Sequence, residues 1–451
     1  MSNWISKPET IAKSKKYYAH FDYRTNMGKV TNKVKVSKLV TNAEWVSHHG
    51  FFPFIHYEIK ISKYNGKEVK HKSRDICYAA HLDRCVLQYY CHLLNERYNK
   101  RIRELQIEEV AVAYRFDLGK NNIHFAKQAI DFMKSNPKAY VLIGDFTGFF
   151  DYLDHQYLKR QWCNLLEVDN LPPDHYTIFK NITRYSVWEL DDLLRLNGLP
   201  LTRKGIRELN SRPIVLDRKK YKQNRSNIKK HIEPYGIPQG SPISALLANV
   251  YMMEVDKKIK EIVNQYSGLY MRYSDDFIIV LPVKEEEAKI AIDSINEVLK
   301  STPGLTLEPQ KTQIYKIDLP QINNVGNLFL ENADCSKKII NFLGFTFNGV
   351  TTTLRAKTVS KYYYRMLRKA HKIAIDPEKK GKRQLYERYS ERGARVGGKQ
   401  KGNFFTYVHR AERIFNDAEE IRRPVKRHMK KIKMALRRNS KNSRGSESIQ
   451  N

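Results

Sequence analysis

Two apolar runs, LYMRY (269–273) and FIIVLP (277–282), are separated only by Ser274, Asp275 and Asp276. Strand-like runs joined by so short a link pair as an antiparallel hairpin, which fixes two neighbouring strands of a sheet and leaves the acidic pair at the tip. Like charges side by side between buried flanks are costly unless a cation or a basic partner compensates them. Taken alone, SDD is equally served by an Asp-capped turn and a surface ion pair.

The flanking pattern says which sheet the hairpin belongs to. AYVLIGDF (139–146) reads as a buried strand that delivers Asp145 at its end, and DYLDHQYLKRQWCNLL (151–166) as a helix. GIPQGSPISALLANVYMMEV (236–255) is a turn-forming loop feeding a helix, with Ser241 expected at the N-cap and Pro242 at the first helical position. EEEAKIAIDSINEVLK (285–300) carries Ala288, Ile292, Ile295 and Leu299 as a helical stripe, and LTLEPQKTQIY (305–315) returns as strand. The order is β-α-β-β-α-β, the split βαβ arrangement of a ferredoxin-like sheet, in which the first strand lies beside the central hairpin. Asp145 is therefore expected next to Asp275 and Asp276. Such a cluster suits two Mg²⁺ ions that align an attacking and a leaving oxygen for phosphoryl transfer.

Charge supports a polyanionic partner. Lys plus Arg number 81 against 48 for Asp plus Glu, a net +33 over 451 residues, which favours nucleic acid. No apolar run approaches spanning length and the first residues lack a signal-peptide core, so no membrane partner and a cytoplasmic setting are expected. Five cysteines without a CxxC pair suit reduced thiols. Cys77, His81 and Cys85 fall at i, i+4 and i+8 of an expected helix, a spacing read here as a packed face in preference to a metal site. Residues 156–235, with the basic stretch DRKKYKQNRSNIKK (217–230), read as an exposed insertion. Near the C-terminus IRRPVKRHMKKIKMALRRNS (421–440) has nine basic residues and no acid, a face suited to a nucleic-acid backbone.

The motifs resemble a known family. DFTGFFD (145–151) looks like polymerase motif A, GIPQGSP (236–242) like motif B of reverse transcriptases and YSDD (273–276) like their motif C, in the family's order. LEPQKTQI (307–314) resembles motif D, NFLGFTF (341–347) resembles the primer-grip motif E, and SRDICYAAHLDRCVLQYY and AYRFDLGKNNIHFAKQA resemble fingers blocks of bacterial reverse transcriptases. The flavour is that of the defence-associated, abortive-infection group, with retron and group II intron enzymes as neighbours. NGVTTTLRAK (348–357) lacks the VTG signature of retrons.

The resemblance implies an α+β right-hand polymerase with a ferredoxin-like palm (139–155 and 236–350), mixed fingers (1–138), an insertion (156–235) and a helical thumb with a basic C-terminal region (351–451). It implies RNA-directed DNA synthesis from dNTPs, with an RNA template or noncoding RNA, a DNA primer or product, and a second copy or a partner protein as partners. Asp145, Asp275 and Asp276, with the Phe146 carbonyl, would hold two Mg²⁺ ions, or Mn²⁺ in their place, and Lys311 would assist the leaving pyrophosphate. Phe150 matches the steric-gate position against the sugar C2′, its plain alternative being a core aromatic. Phe149, Gln239 and Gly240 would line the nucleotide pocket, and Arg74, with Lys72, would clamp the triphosphate unless they are solvated cations. Phe342, Leu343 and Gly344, and Lys430, Lys431, Arg437 and Arg438, would contact nucleic acid. A non-catalytic RNA-binding scaffold is the reading from another class.

Overall fold

The computed structural model describes residues 4–14, 16–23, 30–64, 69–115, 117–308, 310–331, 333–375, 381–394, 402–416 and 418–445. In chain order, the elements that position the site are β1 (Phe54–Glu58), β2 (Asp75–Tyr78), α1 (His81–Glu104), α2 (Asn122–Ser135), β3 (Lys138–Asp145), α3 (His155–Leu166), β4 (Ser186–Glu189) and β5 (Lys229–Lys230). Then come α4 (Ser244–Gln265), β6 (Leu269–Tyr273), β7 (Asp276–Leu281), α5 (Glu285–Lys300), β8 (Gln313–Asp318), β9 (Gln321–Asn324), β10 (Ile340–Phe342), β11 (Phe345–Phe347), β12 (Thr352–Leu354), α6 (Ala356–Ile375), α7 (Phe404–Phe415) and α8 (His428–Gly445).

The central sheet has the order β9-β8-β3-β7-β6, antiparallel throughout. Within it β8-β3-β7-β6 is the split βαβ order, so the first strand lies between the hairpin and the last strand. Side chains alternate along β7: Phe277, Ile279 and Leu281 enter a core with α1, α3, α4 and α5, while Ile278 and Val280 enter a second core with α2, α6, α7 and the β10-β11-β12 sheet. A sheet covered on both faces has no solvent side, which is why FIIVL is apolar at every position. Local signals agree with the tertiary ones. Asn121 caps α2 in a reciprocal capping box with His124, Asp154 accepts from the Tyr157 N–H to start α3, and three glutamates occupy the first turn of α5, where the helix dipole favours them.

Several expectations are corrected. The helix after the GIPQGSP loop begins at Ser244, with Ile243 at the cap, and Ser241 Oγ is buried without a partner among the described residues. The chain is held in turn geometry up to Ile243 because the loop docks on β2, Cys77 N–H donating to the Gln239 carbonyl at 2.7 Å, and because Ser244 Oγ donates to the Pro238 carbonyl at 2.7 Å. Cys77 lies on β2 while His81 and Cys85 lie on α1, so the three share no helical face. The 305–315 run becomes strand only from Gln313. Residues 156–235 are not a solvated insertion: β4 pairs parallel with β1, and Trp162, Trp188, Leu193 and Leu194 are fully buried. The basic stretch within it is largely exposed.

Candidate active site

The site forms where β3 ends and β7 begins. Asp145 and Asp276 are direct cross-strand partners, and Tyr273 faces Asp276 across the hairpin. Opposed residues hold their Cβ atoms about 5 Å apart. Between Tyr273 and Asp276 the chain turns on two residues, Ser274 and Asp275, and Ser274 has φ +65°, the positive first position of a II′ turn. Asp275 thus stands at the tip beside the other two carboxylates.

The electrostatics match this crowding. The Asp276 carboxyl reaches solvent, yet much of the volume around it is protein in place of water. That desolvation first, then the charges of Asp275 and Asp145, raise its pKa to about 6, against the lowering by Lys311 and Arg355. Lys311 Nζ stands 3.0 Å from Asp145 Oδ2. Two nearby cations therefore leave negative charge in excess. The donors are all oxygen, as a hard divalent cation requires. An antiparallel bridge between Phe146 and Leu307 is closed by Thr147 N–H to the Thr306 carbonyl and Glu308 N–H to the Asp145 carbonyl, which leaves the Phe146 carbonyl outside that pair of bonds. The residues fit a metal in donor type. Among the described residues no group of three or more His, Cys, Asp or Glu side chains already forms a ligand set, and Asp145 directs an oxygen at Lys311 instead.

Around the carboxylates, the GIPQGSP loop and the residues after Asp145 are tied together. Ile237 N–H donates to the Phe150 carbonyl and Gly236 N–H to the Leu153 carbonyl, each at 2.9 Å. The Gln239 amide donates to Asp151 Oδ1 at 3.0 Å, and both residues line a cavity of about 410 Å³ with His56, Asp75, Tyr185 and Lys230. Gly240 has φ +105°, and a Cβ there would come within 2.5 Å of the Cys77 carbonyl. The glycine therefore serves a close approach of the loop to β2. Phe150 is half-buried against the first core. Arg74 is exposed, and its backbone pairs with that of Ile59 at 2.9 and 3.1 Å. Lys72 ends the strand Val69–Lys72, and its side chain lies outside the described residues.

Other expected contacts move. Phe149 is 4 % exposed and stacked on Phe146 at 5.5 Å, so it is core and not pocket wall. Phe342 is likewise buried, whereas Leu343 and Gly344, both at positive φ, form the tip between β10 and β11; Asn122 Nδ2 donates to the Leu343 carbonyl at 3.0 Å. On α8, Lys430 and Lys431 are both exposed, and Lys431 lies 3.7 Å from the centre of the Tyr363 ring because that helix packs along α6 through Ile432. Arg437 is exposed, and the Arg438 side chain lies outside the described residues. A further exposed basic stripe lies on α6: Lys357, Lys361, Arg365, Arg368 and Lys372, with Tyr364. Sequence reasoning missed this stripe, although its three- and four-residue spacing was readable; it missed Arg355 and Asp151 because only tertiary structure brings them to the site.

A family model described as reverse transcriptase (RNA-dependent DNA polymerase) matches residues 82–347. No curated protein matches by sequence. Among solved structures, apo telomerase from Candida tropicalis is similar at 13 % identity and TM-score 0.41, covering 86 % of this chain and 66 % of that one. Telomerase from Candida albicans in complex with a TWJ fragment of telomeric RNA is similar at 15 % identity and TM-score 0.41, covering 83 % and 55 %. A Candida tropicalis telomerase truncated from its C-terminal domain is similar at 16 % identity and TM-score 0.37, covering 64 % and 53 %. The chain thus spans between half and two thirds of the length of these structures.

Proposed function

The chain belongs to the reverse transcriptase family, and from that premise we propose that it extends a DNA primer on an RNA template, joining the primer hydroxyl to the α-phosphorus of a dNTP and releasing pyrophosphate. The observation that carries this reading is the register of Asp145 against Asp276, with Asp275 at the adjoining tip, inside the matched segment. Asp145, Asp275, Asp276 and the Phe146 carbonyl would hold two Mg²⁺ ions, or Mn²⁺ in their place; bound there, these supply Lewis-acid alignment of the attacking and leaving oxygens.

The chain's own groups do the rest. Lys311 supplies positive charge or a proton to the departing pyrophosphate. Phe150 packs against the sugar C2′ and selects dNTPs by steric exclusion, while Gln239, its amide oriented by Asp151, and the Gly240 backbone border the nucleotide. Arg74, with Lys72, clamps the triphosphate. Leu343 and Gly344 touch the primer, and the α6 stripe, with Arg437 and Arg438, follows the duplex backbone. In this reading residues 139–155 and 236–350 are the palm, 1–138 the fingers, 156–235 an insertion joined to the fingers sheet, and 351–451 the thumb.

For the biological setting we propose anti-phage defence with an associated noncoding RNA, in the cytoplasm, on the strength of the AYRFDLGKNN block; retron-type and intron-type synthesis are the competing settings. Among the described residues no helix is long and apolar enough to cross a membrane. The deciding assay is nucleotide incorporation with Mg²⁺ by the wild type and by Asp275→Asn or Asp145→Asn. Each variant should lose incorporation by about 10³-fold or more while keeping the wild-type unfolding midpoint, since an amide cannot replace a metal-bridging carboxylate. Near-wild-type incorporation by either would remove the assignment. Sequencing the nucleic acid carried or made by the purified protein separates the settings.

A further inference from the structure

Arg272, one residue before the YSDD motif, is fully buried, and so is its partner Asp256 on α4. The guanidinium spends its donors in several directions. Nη2 reaches Asp256 Oδ2 at 2.6 Å, Nε reaches both Asp256 oxygens at 2.9 and 3.2 Å, and Nη1 donates to Asn249 Oδ1 at 3.2 Å and to the Ser274 carbonyl at 3.0 Å. Tyr270 OH, also buried, donates to Asp256 Oδ1 at 2.8 Å. Burial works against the Arg272 charge, and the charge and hydrogen bonds of Asp256 more than offset it.

Three separate segments meet at this residue, two through its side chain and one through its main chain. Asn249 and Asp256 lie on one face, about two turns apart, of the helix that follows the GIPQGSP loop. Ser274 is the turn residue at positive φ that sets the direction of Asp275 and Asp276. The third segment is 110–114: Arg272 N–H donates to the Val110 carbonyl, Val112 N–H donates to the Arg272 carbonyl, and Asn249 Nδ2 donates to the Ala113 carbonyl. Tyr114, at φ +63°, shares a hydrogen bond with Ser274 Oγ at 3.0 Å. A strained turn persists only where its surroundings over-determine it. Here they do so through a charge pair that packing alone would not require, because a hydrophobic pair of similar volume would fill the same space without the desolvation penalty.

We infer that Arg272 is a positioning residue that locks the Asp275–Asp276 turn to helix α4, so that the carboxylates and the nucleotide-side loop keep one fixed relation. The inference rests on the polymerase reading only for its kinetic consequence; the coupling itself is a property of the fold.

The test uses the full chain with Arg272→Lys, which keeps the charge but loses the fork of donors, and Asn249→Ala as a milder second break. Four quantities are read: the unfolding midpoint, affinity for a template–primer duplex, single-turnover dNTP incorporation across dNTP concentration, and amide hydrogen exchange at 274–276. The maximal incorporation rate should fall by about 100-fold in Arg272→Lys, as a displacement of the carboxylates by about 1 Å would bring, with duplex affinity and dNTP half-saturation within about twofold. Exchange at 274–276 should accelerate about tenfold or more, while the centre of β3 stays protected. A purely structural role would leave the rate and half-saturation moving together or leave both alone, and that outcome overturns the inference, as does unaltered exchange at the turn. If Arg272→Lys does not fold, Asn249→Ala carries the same measurements with the same criteria. If the wild type incorporates no nucleotide, the polymerase reading fails by itself, and the exchange data still decide the coupling.

Discussion

At the residue scale, the raised pKa of Asp276 is the thermodynamic counterpart of a site that gathers charge. A carboxyl that binds its proton more tightly when folded than when unfolded lowers stability as pH rises between the two pKa values. For Asp276 those are about 6 folded and the ordinary 3.8 unfolded, so the loss develops from about pH 4 to pH 6 and is complete above it. Asp276→Asn should therefore raise the unfolding midpoint of the protein in chelator at pH 7.5, with the advantage shrinking to nothing below about pH 4. Thermal unfolding of both proteins across pH 3.5–8 reads this directly; a variant less stable than wild type at pH 7.5 would mean that Asp276 is compensated in the fold. The acidic pair was legible in the sequence because it interrupts two apolar runs. Arg272 was not, since a lone arginine inside LYMRY has no local sign of its partner Asp256, and the same holds for Asp151 beneath Gln239. Phe149 and Phe342 were misplaced for a related reason: a motif names an aromatic without saying which face it turns, and both turn inward.

At the element scale, hydrophobic period did most of the work. Both faces of the central sheet are covered, so its strands read as continuous apolar runs, and the β-α-β-β-α-β order follows from their alternation with helices. The C-terminal charge run puts nine cations in a row of twenty, which reads as one face. In the fold Ile432 packs between α8 and α6, and the exposed Lys431 settles over the Tyr363 ring, so that cation is already engaged by the protein. The α6 stripe is exposed along its length, and its ring contact, Arg368 over Tyr364 at 5.7 Å, is with its own helix. Replacing Lys361, Arg365 and Arg368 together with Gln should weaken duplex binding for any sequence and flatten the dependence of log affinity on log salt by about two to three units, as expected when three phosphate contacts are lost. The matching Lys430/Lys431 pair of substitutions should change that slope by less than one unit. Titrations at 50–300 mM salt compare them directly, and the reverse ranking would return the duplex to α8.

At the scale of the whole molecule, the central sheet serves two cores at once. Phe277 and Ile279 face α1, α3 and α4, while Ile278 and Val280 face α2, α6 and α7, so the C-terminal helices are not an appendage that could melt alone. This arrangement was hidden from the sequence, where residues from 351 onward read as a separate helical unit. The tryptophans provide a sharp test, because all four, Trp4, Trp45, Trp162 and Trp188, lie in or against the first core or its neighbour and none in the second. Phe405, on α7, is buried at 1 % in the second core. Truncating it to alanine should cost about 3–5 kcal/mol, and the loss is transmitted through β3, β6, β7 and β8, whose two faces cannot be solvated independently. Urea unfolding followed by tryptophan fluorescence should thus shift to lower denaturant in Phe405→Ala, with the slope unchanged and with the same midpoint by far-ultraviolet circular dichroism. A fluorescence midpoint that stays at the wild-type value while the dichroism transition splits would show the C-terminal helices unfolding by themselves. The sheet would then carry the carboxylates on a framework stable on one face alone.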